Sequence, residues 1–121
     1  MVGGFSEIEK PEENPMLQGV TEYVQTQLPL QNQRYSFDSK KASELHLRVV
    51  QSFQQVVAGM NYRILYAVEN TEGKLKGAFK VQVYDRFGDV SVTTWDDEVS
   101  VSEVSNILAG QSKLSSTDFK G

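Results

Sequence analysis

The sequence predicts an α+β domain in which one helix packs on an antiparallel sheet of four to five strands. Helical spacing of apolar residues is strongest in one stretch near the amino end, between Asn14 and Pro29. Further along the chain, apolar and polar residues alternate over residues 60–69 and 78–84. Turns that contain glycine separate the alternating runs, which favours strands joined as hairpins.

The helix has recognisable signals at both of its ends. Asn14 is a favourable N-cap, Pro15 suits the first helical position, and Pro29 ends or kinks the helix. The apolar residues between these signals recur at spacings of three and four: Met16, Leu17, Val20, Tyr23, Val24 and Leu28. We expect this stripe to be buried against the sheet.

The next part of the chain predicts a connection followed by a long strand. Residues 30–43 are largely polar and predict a connection that contains a short strand near 34–37. In the strand that follows, the alternation slips between Val49 and Phe53, which predicts a bulge. His46, the one histidine, lies between two inward leucines and is expected to face solvent.

Residues 55–59 are the most informative stretch, because the chain has to reverse there. One unbroken strand through this region would far exceed the usual ~3–10 residues, and Gly59 can adopt a turn conformation. Turns are normally polar, yet Val56, Val57 and Ala58 lie at this one. If the apolar turn stays exposed, it gains about 25 cal/mol per Å² by entering a partner's groove. The alternative is that the two valines turn inward and complete the core.

The same stretch resembles a known family. Residues 55–59 read Gln-Val-Val-Ala-Gly, which is similar to the Gln-x-Val-x-Gly signature of the cystatins, inhibitors of papain-like cysteine proteases. The Asn61-Tyr62 pair that follows is also similar, and so is the order of elements up to about Trp95. Because the chain has no cysteine, it most resembles the cysteine-free type 1 cystatins, the stefins. The resemblance implies a cystatin-like domain over residues 1–99.

The resemblance also implies a protease-binding surface with three parts. Cystatins place an N-terminal trunk that pivots at a glycine, a first hairpin, and a second hairpin that usually contains Pro-Trp in the protease cleft. The matching residues are Val2, Gly3 and Gly4 in a flexible trunk over 1–14, Gln55, Val56, Val57, Ala58 and Gly59 in the first hairpin, and Arg86, Phe87 and Gly88 in the second. Here the proline is absent and Phe87 stands in place of the tryptophan. The second hairpin is therefore expected to be less rigid and to bind more weakly, or Phe87 simply covers the end of the sheet.

The implied function is reversible, competitive, tight-binding inhibition of papain-like, cathepsin-type cysteine proteases by occlusion of their active-site cleft. No catalysis, cofactor or metal is expected. The alternative is a cystatin-fold interaction module without protease inhibition, suggested by the altered second hairpin and by the chain beyond residue 99. A monomer is expected, with strand exchange at the first hairpin into a domain-swapped dimer as the other option.

Charge and composition limit the other classes of partner. The net charge of −4 is uneven, with −3 over residues 1–14, +2 over 15–95 and −3 over 96–121. No basic stripe is present, so nucleic acid is not an expected partner. No run approaches the ~20 apolar residues of a membrane span. The lack of cysteine fits a reducing compartment, which predicts a cytoplasmic protein, although a secreted chain without its signal peptide would look the same.

Residues 100–121 form a C-terminal extension that the stefin resemblance does not explain. Ser100 and Glu103 resemble a capping box, and Gly110 is a stop signal, so we expect a short helix between them. Beyond Gly110 the sequence predicts a disordered tail. The acidic residues 96–98 just before the extension predict a solvated turn rather than a metal site.

Overall fold

The computed structural model describes residues 4–31 and 33–120. The helices and strands are β1 (Ser6–Glu7), α1 (Pro15–Gln27), β2 (Leu45–Val57), β3 (Gly59–Asn70), β4 (Leu75–Arg86), β5 (Asp89–Glu98) and α2 (Val101–Leu108). The strands form one antiparallel sheet in the order β1-β2-β3-β4-β5. This is the α+β arrangement that the sequence predicts, and it is consistent with a cystatin-like fold.

Helix α1 begins where the sequence predicts. The Asn14 side chain accepts hydrogen bonds from the Met16 amide at 2.9 Å and the Leu17 amide at 3.3 Å, which satisfies donors at the start of the helix. Four residues of the predicted stripe are buried: Leu17, Val20, Val24 and Leu28. Tyr23 is half-buried, whereas Met16 at the first turn remains 53% exposed. A short 3-10 turn over Leu28–Gln31 follows the helix at the proline.

Strand β3 lies in the middle of the sheet and is buried on both faces. Five consecutive residues have no exposed surface: Ile64, Leu65, Tyr66, Ala67 and Val68. Because neighbouring side chains of a strand point to opposite faces, both faces of the sheet must be covered. Helix α1 covers the first face, which carries Tyr66. Helix α2 and the segment after it cover the second face, which carries Leu65 and Ala67.

Phe79 on β4 is the centre of an aromatic cluster on the first face. Its ring centroid lies 5.1 Å from that of Tyr35, 5.9 Å from Phe37, 5.5 Å from Tyr66 and 6.1 Å from Trp95. The short strand expected near residues 34–37 is not formed, and the segment makes bends that direct two aromatic rings into the core.

Two local predictions about β2 are confirmed. The pairing of β2 with β3 shifts register between Val49 and Gln51, which is the expected bulge. His46 is exposed, and the leucines on either side of it point towards the core.

The flexible trunk predicted for residues 1–14 is wrong for the described part, 4–14. Strand β1 pairs with the outer edge of β2, and the Ile8 amide donates to the Ser52 carbonyl at 2.9 Å. Ile8 is itself buried in the core of the first face. A 3-10 turn over Pro11–Glu13 then leads into α1.

The disordered tail predicted after Gly110 is also wrong for its described part. Helix α2 forms as expected, with the Ser100 hydroxyl accepting from the Glu103 amide at 3.2 Å. Beyond it, Leu114 and Phe119 are buried against the second face of the sheet. These two side chains are separated by polar residues without helical or strand periodicity, so the sequence pattern does not reveal that they are buried.

Residues 96–98 lie at the end of β5 and do not form the predicted turn, and these acidic residues are only partly solvated. Asp97 and Glu98 are exposed, but Asp96 is 3% exposed. Its carboxylate accepts from the Lys120 amide at 2.6 Å and lies 3.8 Å from the Lys80 ammonium group. A buried carboxylate is retained because these donors replace its hydration.

We expect Phe79→Ala to lower the free energy of unfolding by about 3–5 kcal/mol, since it removes the ring that four other aromatic side chains contact. Urea denaturation measures this loss. The matched control is Phe87→Ala, which removes a ring that is 86% exposed and should change stability by no more than about 0.5 kcal/mol. Equal losses for the two variants would contradict the packing described here.

Candidate functional site

Two hairpin turns lie at the same end of the strands, and we call this end of the sheet the tip edge. The chain reverses at Ala58 between β2 and β3, and at Phe87 and Gly88 between β4 and β5. In a sheet of consecutive antiparallel strands, every second turn lies at the same end of the strands. The β3–β4 turn therefore lies at the end opposite the tip edge. Met60 on β3 pairs with Asp85 on β4, which brings the two turns side by side.

The tip edge exposes large apolar side chains. Val56 is 68% exposed, Ala58 is exposed and Val57 is half-buried. The alternative in which both valines complete the core is therefore wrong for Val56. Phe87 is 86% exposed, so it does not cover the end of the sheet, and Arg86 beside it is exposed as well. Apolar surface left in water at two neighbouring turns is typical of a binding surface.

Gly59 fixes the distance between the two turns. Its φ of 108° is one that side chains rarely adopt. In addition, a Cβ atom at this position would lie 2.5 Å from the Asp85 carbonyl oxygen and 3.0 Å from the Arg86 Cα atom. The first turn can thus approach the end of β4 only because residue 59 has no side chain.

Side-chain hydrogen bonds also hold the first turn in place. The Tyr84 hydroxyl donates to the Ala58 carbonyl, which joins the end of β4 to the reversal point. Within the hairpin, the Asn61 amide group donates to the Gln55 side-chain oxygen at 3.1 Å. Gln55 is therefore engaged inside its own hairpin, whereas the side chain of Val56 is exposed.

The second turn holds an aromatic residue in a left-handed conformation. Phe87 has φ 53° and Gly88 has φ 96°, the two positive values of a type I′ turn. The Asp85 carboxylate closes the turn by accepting from the Gly88 amide at 2.9 Å. Asn, Asp or Gly is usual at the Phe87 position, and a larger residue there costs roughly 1–2 kcal/mol. A strained residue that is also fully presented to solvent suggests selection for binding rather than for stability.

Met16 is a member of the tip edge that the sequence did not identify as a site residue. It lies in the first turn of α1 and lines a shallow groove together with Val57, Met60 and Phe87. Its place in the helical stripe predicts a core position, but the stripe extends beyond the sheet at this end of the helix. No spacing signal distinguishes the last buried residue of such a stripe from the first exposed one.

Residues 4–10, which we call the N-terminal arm, are directed towards the tip edge. Ser6 pairs with Gln54 and Glu7 pairs with Phe53, so the arm approaches the tip edge as residue numbers decrease. Gly4 is exposed, and apart from its neighbours in the chain no described residue lies within 4 Å of the position a Cβ atom would take there. The other two predicted trunk residues, Val2 and Gly3, lie outside the described residues.

The exposed side chains at the tip edge are mostly apolar. Burial raises the pKa of the Tyr62 phenol beneath the turns, and the charge of Asp85 raises it further, so this phenol stays neutral.

Within residues 4–31 and 33–120, no group of three or more His, Asp or Glu side chains is arranged to hold a metal ion. Across the same residues, neither helix is long and apolar enough to cross a membrane.

We expect Gly59→Ala to destabilise the protein by at least about 1–2 kcal/mol, because the positive φ alone costs that much and the Asp85 carbonyl must also move. The matched control is Gly19→Ala on the exposed side of α1, where no atom obstructs a Cβ. This control should stabilise the protein by about 0.5–1 kcal/mol through helix propensity. Urea denaturation of both variants measures the difference, and changes of the same sign would contradict the geometry at Gly59.

Comparison with protein-family models, with curated proteins and with solved structures finds no match to this chain. The resemblance to cystatins therefore depends on the residues of the first hairpin and the order of the elements alone.

Proposed function

We propose that this protein is a reversible, competitive inhibitor of papain-like cysteine proteases. The observation that carries the proposal is the position of three segments at one edge of the sheet: the β2–β3 turn, the β4–β5 turn and the N-terminal arm that approaches them. These are the segments that the cystatin resemblance assigns to the protease cleft. Val56 and Phe87 are the exposed apolar residues of the two turns.

Affinity would come from burying preorganised apolar surface. An exposed aliphatic or aromatic side chain that becomes fully buried gains roughly 1.5–3 kcal/mol. Hydrogen bonds between side chains and backbone groups already hold both turns, so little conformational entropy is lost on binding. The two turns and the arm would together fill a cleft whose shape is complementary to theirs.

The proposed mode of action blocks the protease cleft and involves no reaction. The protruding residues Val56, Ala58 and Phe87 have aliphatic or aromatic side chains, which supply no nucleophile or proton donor. Each turn would enter the cleft as a closed hairpin, so no extended peptide bond lies in position for attack. Inhibition would then be reversible and would raise the apparent KM for a peptide substrate while kcat stays unchanged.

An interaction module without protease inhibition is the second candidate. It is favoured by the second turn, where Phe87 in a type I′ turn replaces the Pro-Trp of cystatins, and by the packed C-terminal extension. The two candidates differ in one measurable respect. The inhibitor binds papain through Val56 and Phe87, whereas the module should leave papain active.

Titration of papain activity tests the proposal directly. We expect competitive inhibition at or below micromolar concentration, and we expect Val56→Ser to raise the inhibition constant by about tenfold, since about 1.4 kcal/mol of apolar burial is lost. The matched control is Val101→Ser, at an exposed valine on α2. It should leave the inhibition constant unchanged. Full papain activity in the presence of micromolar wild-type protein would exclude the proposed function.

Phe87→Asn should change stability and inhibition in opposite directions. Asparagine suits the left-handed position, so the free energy of unfolding should rise by about 0.5–1 kcal/mol. Loss of the exposed ring should weaken papain inhibition by about tenfold or more. Urea denaturation and inhibition assays on the same preparation measure both effects. Stronger inhibition by the variant would contradict a binding role for Phe87.

A further inference from the structure

The C-terminal segment after α2 is held to the second face of the sheet by polar side chains. The Gln51 amide group donates to the Leu114 carbonyl at 3.1 Å, and its oxygen accepts from the Leu114 amide at 2.7 Å. Further along, the Lys80 ammonium group donates to the Asp118 carbonyl at 2.7 Å. These hydrogen bonds to backbone groups help to fix the path of the segment. The burial of Leu114 and Phe119 fixes it further.

Arg63 on β3 connects this segment to the N-terminal arm. Its Nη1 donates to the Ser116 carbonyl at 2.9 Å, and its Nε donates to the Gln82 side-chain oxygen at 2.8 Å. The guanidinium carbon also lies 4.1 Å from the centroid of the Phe5 ring. Two acceptors hold the guanidinium group at a distance from the Phe5 ring that lies within the range of a cation–π interaction.

The arm makes two more contacts on this side of the sheet. Phe5 packs against the apolar cluster of the second face, which contains the buried ring of Phe119. The Lys113 ammonium group lies 3.3 Å from the Glu7 carboxylate, although both side chains are exposed and the pair contributes little. Because β1 is only two residues long, its own pairing with β2 is a weak anchor for the arm.

We propose that the C-terminal extension positions the N-terminal arm at the tip edge, with Arg63 as the positioning residue. The inference rests on the proposed function, because the arm is the third part of the proposed protease-binding surface. Phe5 directly follows Gly4, the last of the three trunk residues predicted to bind the protease. Holding the Phe5 ring in place therefore restrains the point from which these residues extend. The extension thereby lowers the entropy that the arm must lose when it enters a cleft.

The proposal predicts coupling in both directions. If the extension orders the arm, an arm held in a protease cleft must in turn stabilise the extension by the same factor. Removing the extension should weaken inhibition only as long as the arm is present. This dependence distinguishes positioning from a direct contact between the extension and the protease.

Amide hydrogen exchange in the free protein tests the positioning step without any protease. In Arg63→Gln, exchange of the Ile8 amide should accelerate by about tenfold, the effect of one lost charge-assisted contact. The matched control is Arg48→Gln, which removes a guanidinium that contacts Glu69 at 4.0 Å and faces solvent. The Ile64 amide in the core is the internal reference. Unchanged exchange at Ile8, or equal acceleration at Ile8 and Ile64, would overturn the proposal.

A double-mutant cycle on papain inhibition tests the functional step. Arg63→Gln should raise the inhibition constant several-fold in the full chain and leave it unchanged in a chain that lacks residues 1–4. An equal effect in both chains would show that Arg63 acts independently of the arm and would overturn the proposal. If the wild-type protein does not inhibit papain, the proposed function fails, and the exchange measurement still decides whether Arg63, the residue that connects the extension to the arm, orders the arm.

Discussion

The close approach of the first hairpin to the end of β4 is the constraint on which the candidate site depends. Gly59 allows it because a side chain at this position would meet the Asp85 carbonyl at 2.5 Å. The approach has two consequences. It lets the Tyr84 hydroxyl reach the Ala58 carbonyl, which rigidifies the first turn, and it places Val57 and Phe87 along one groove. A single glycine therefore turns two separate hairpins into one continuous surface.

The sheet that carries this surface is covered on both faces, and the two coverings have different roles. Helix α1 packs over an aromatic core around Phe79 and contributes Leu17, Val20 and Val24 to the buried cluster of the first face. The C-terminal extension covers the second face with Val104, Leu114 and Phe119 and makes more hydrogen bonds between side chains and backbone. Interactions of the second kind fix geometry more than they add stability, since each contributes about 0.5–1.5 kcal/mol net. That balance agrees with the proposal that this segment positions the arm.

Periodic elements could be predicted from the sequence, and elements without a period could not. Asn14 and the helical stripe identify α1, and the slipped alternation after Val49 identifies the bulge, because both depend on local geometry. Burial of Leu114 and Phe119 depends on contacts with strands that are distant in the sequence, such as those of Leu114 with Gln51 and of Phe119 with Phe53, for which the local sequence carries no signal. At the site, the residues of both turns could be named in advance, whereas Met16 and Tyr84 could not. Their roles depend on where the helix and β4 end relative to the turns.

The central claim is that the two turns and the N-terminal arm form one binding surface. It is tested most directly by the amide resonances of the isotope-labelled protein when inactivated papain is added. We expect shifts or broadening at residues 4–6, 55–60 and 86–89, and unchanged resonances at the β3–β4 turn around Thr71 at the opposite edge of the sheet. Perturbations centred on Thr71, with the amides of Val56 and Phe87 unaffected, would contradict this account.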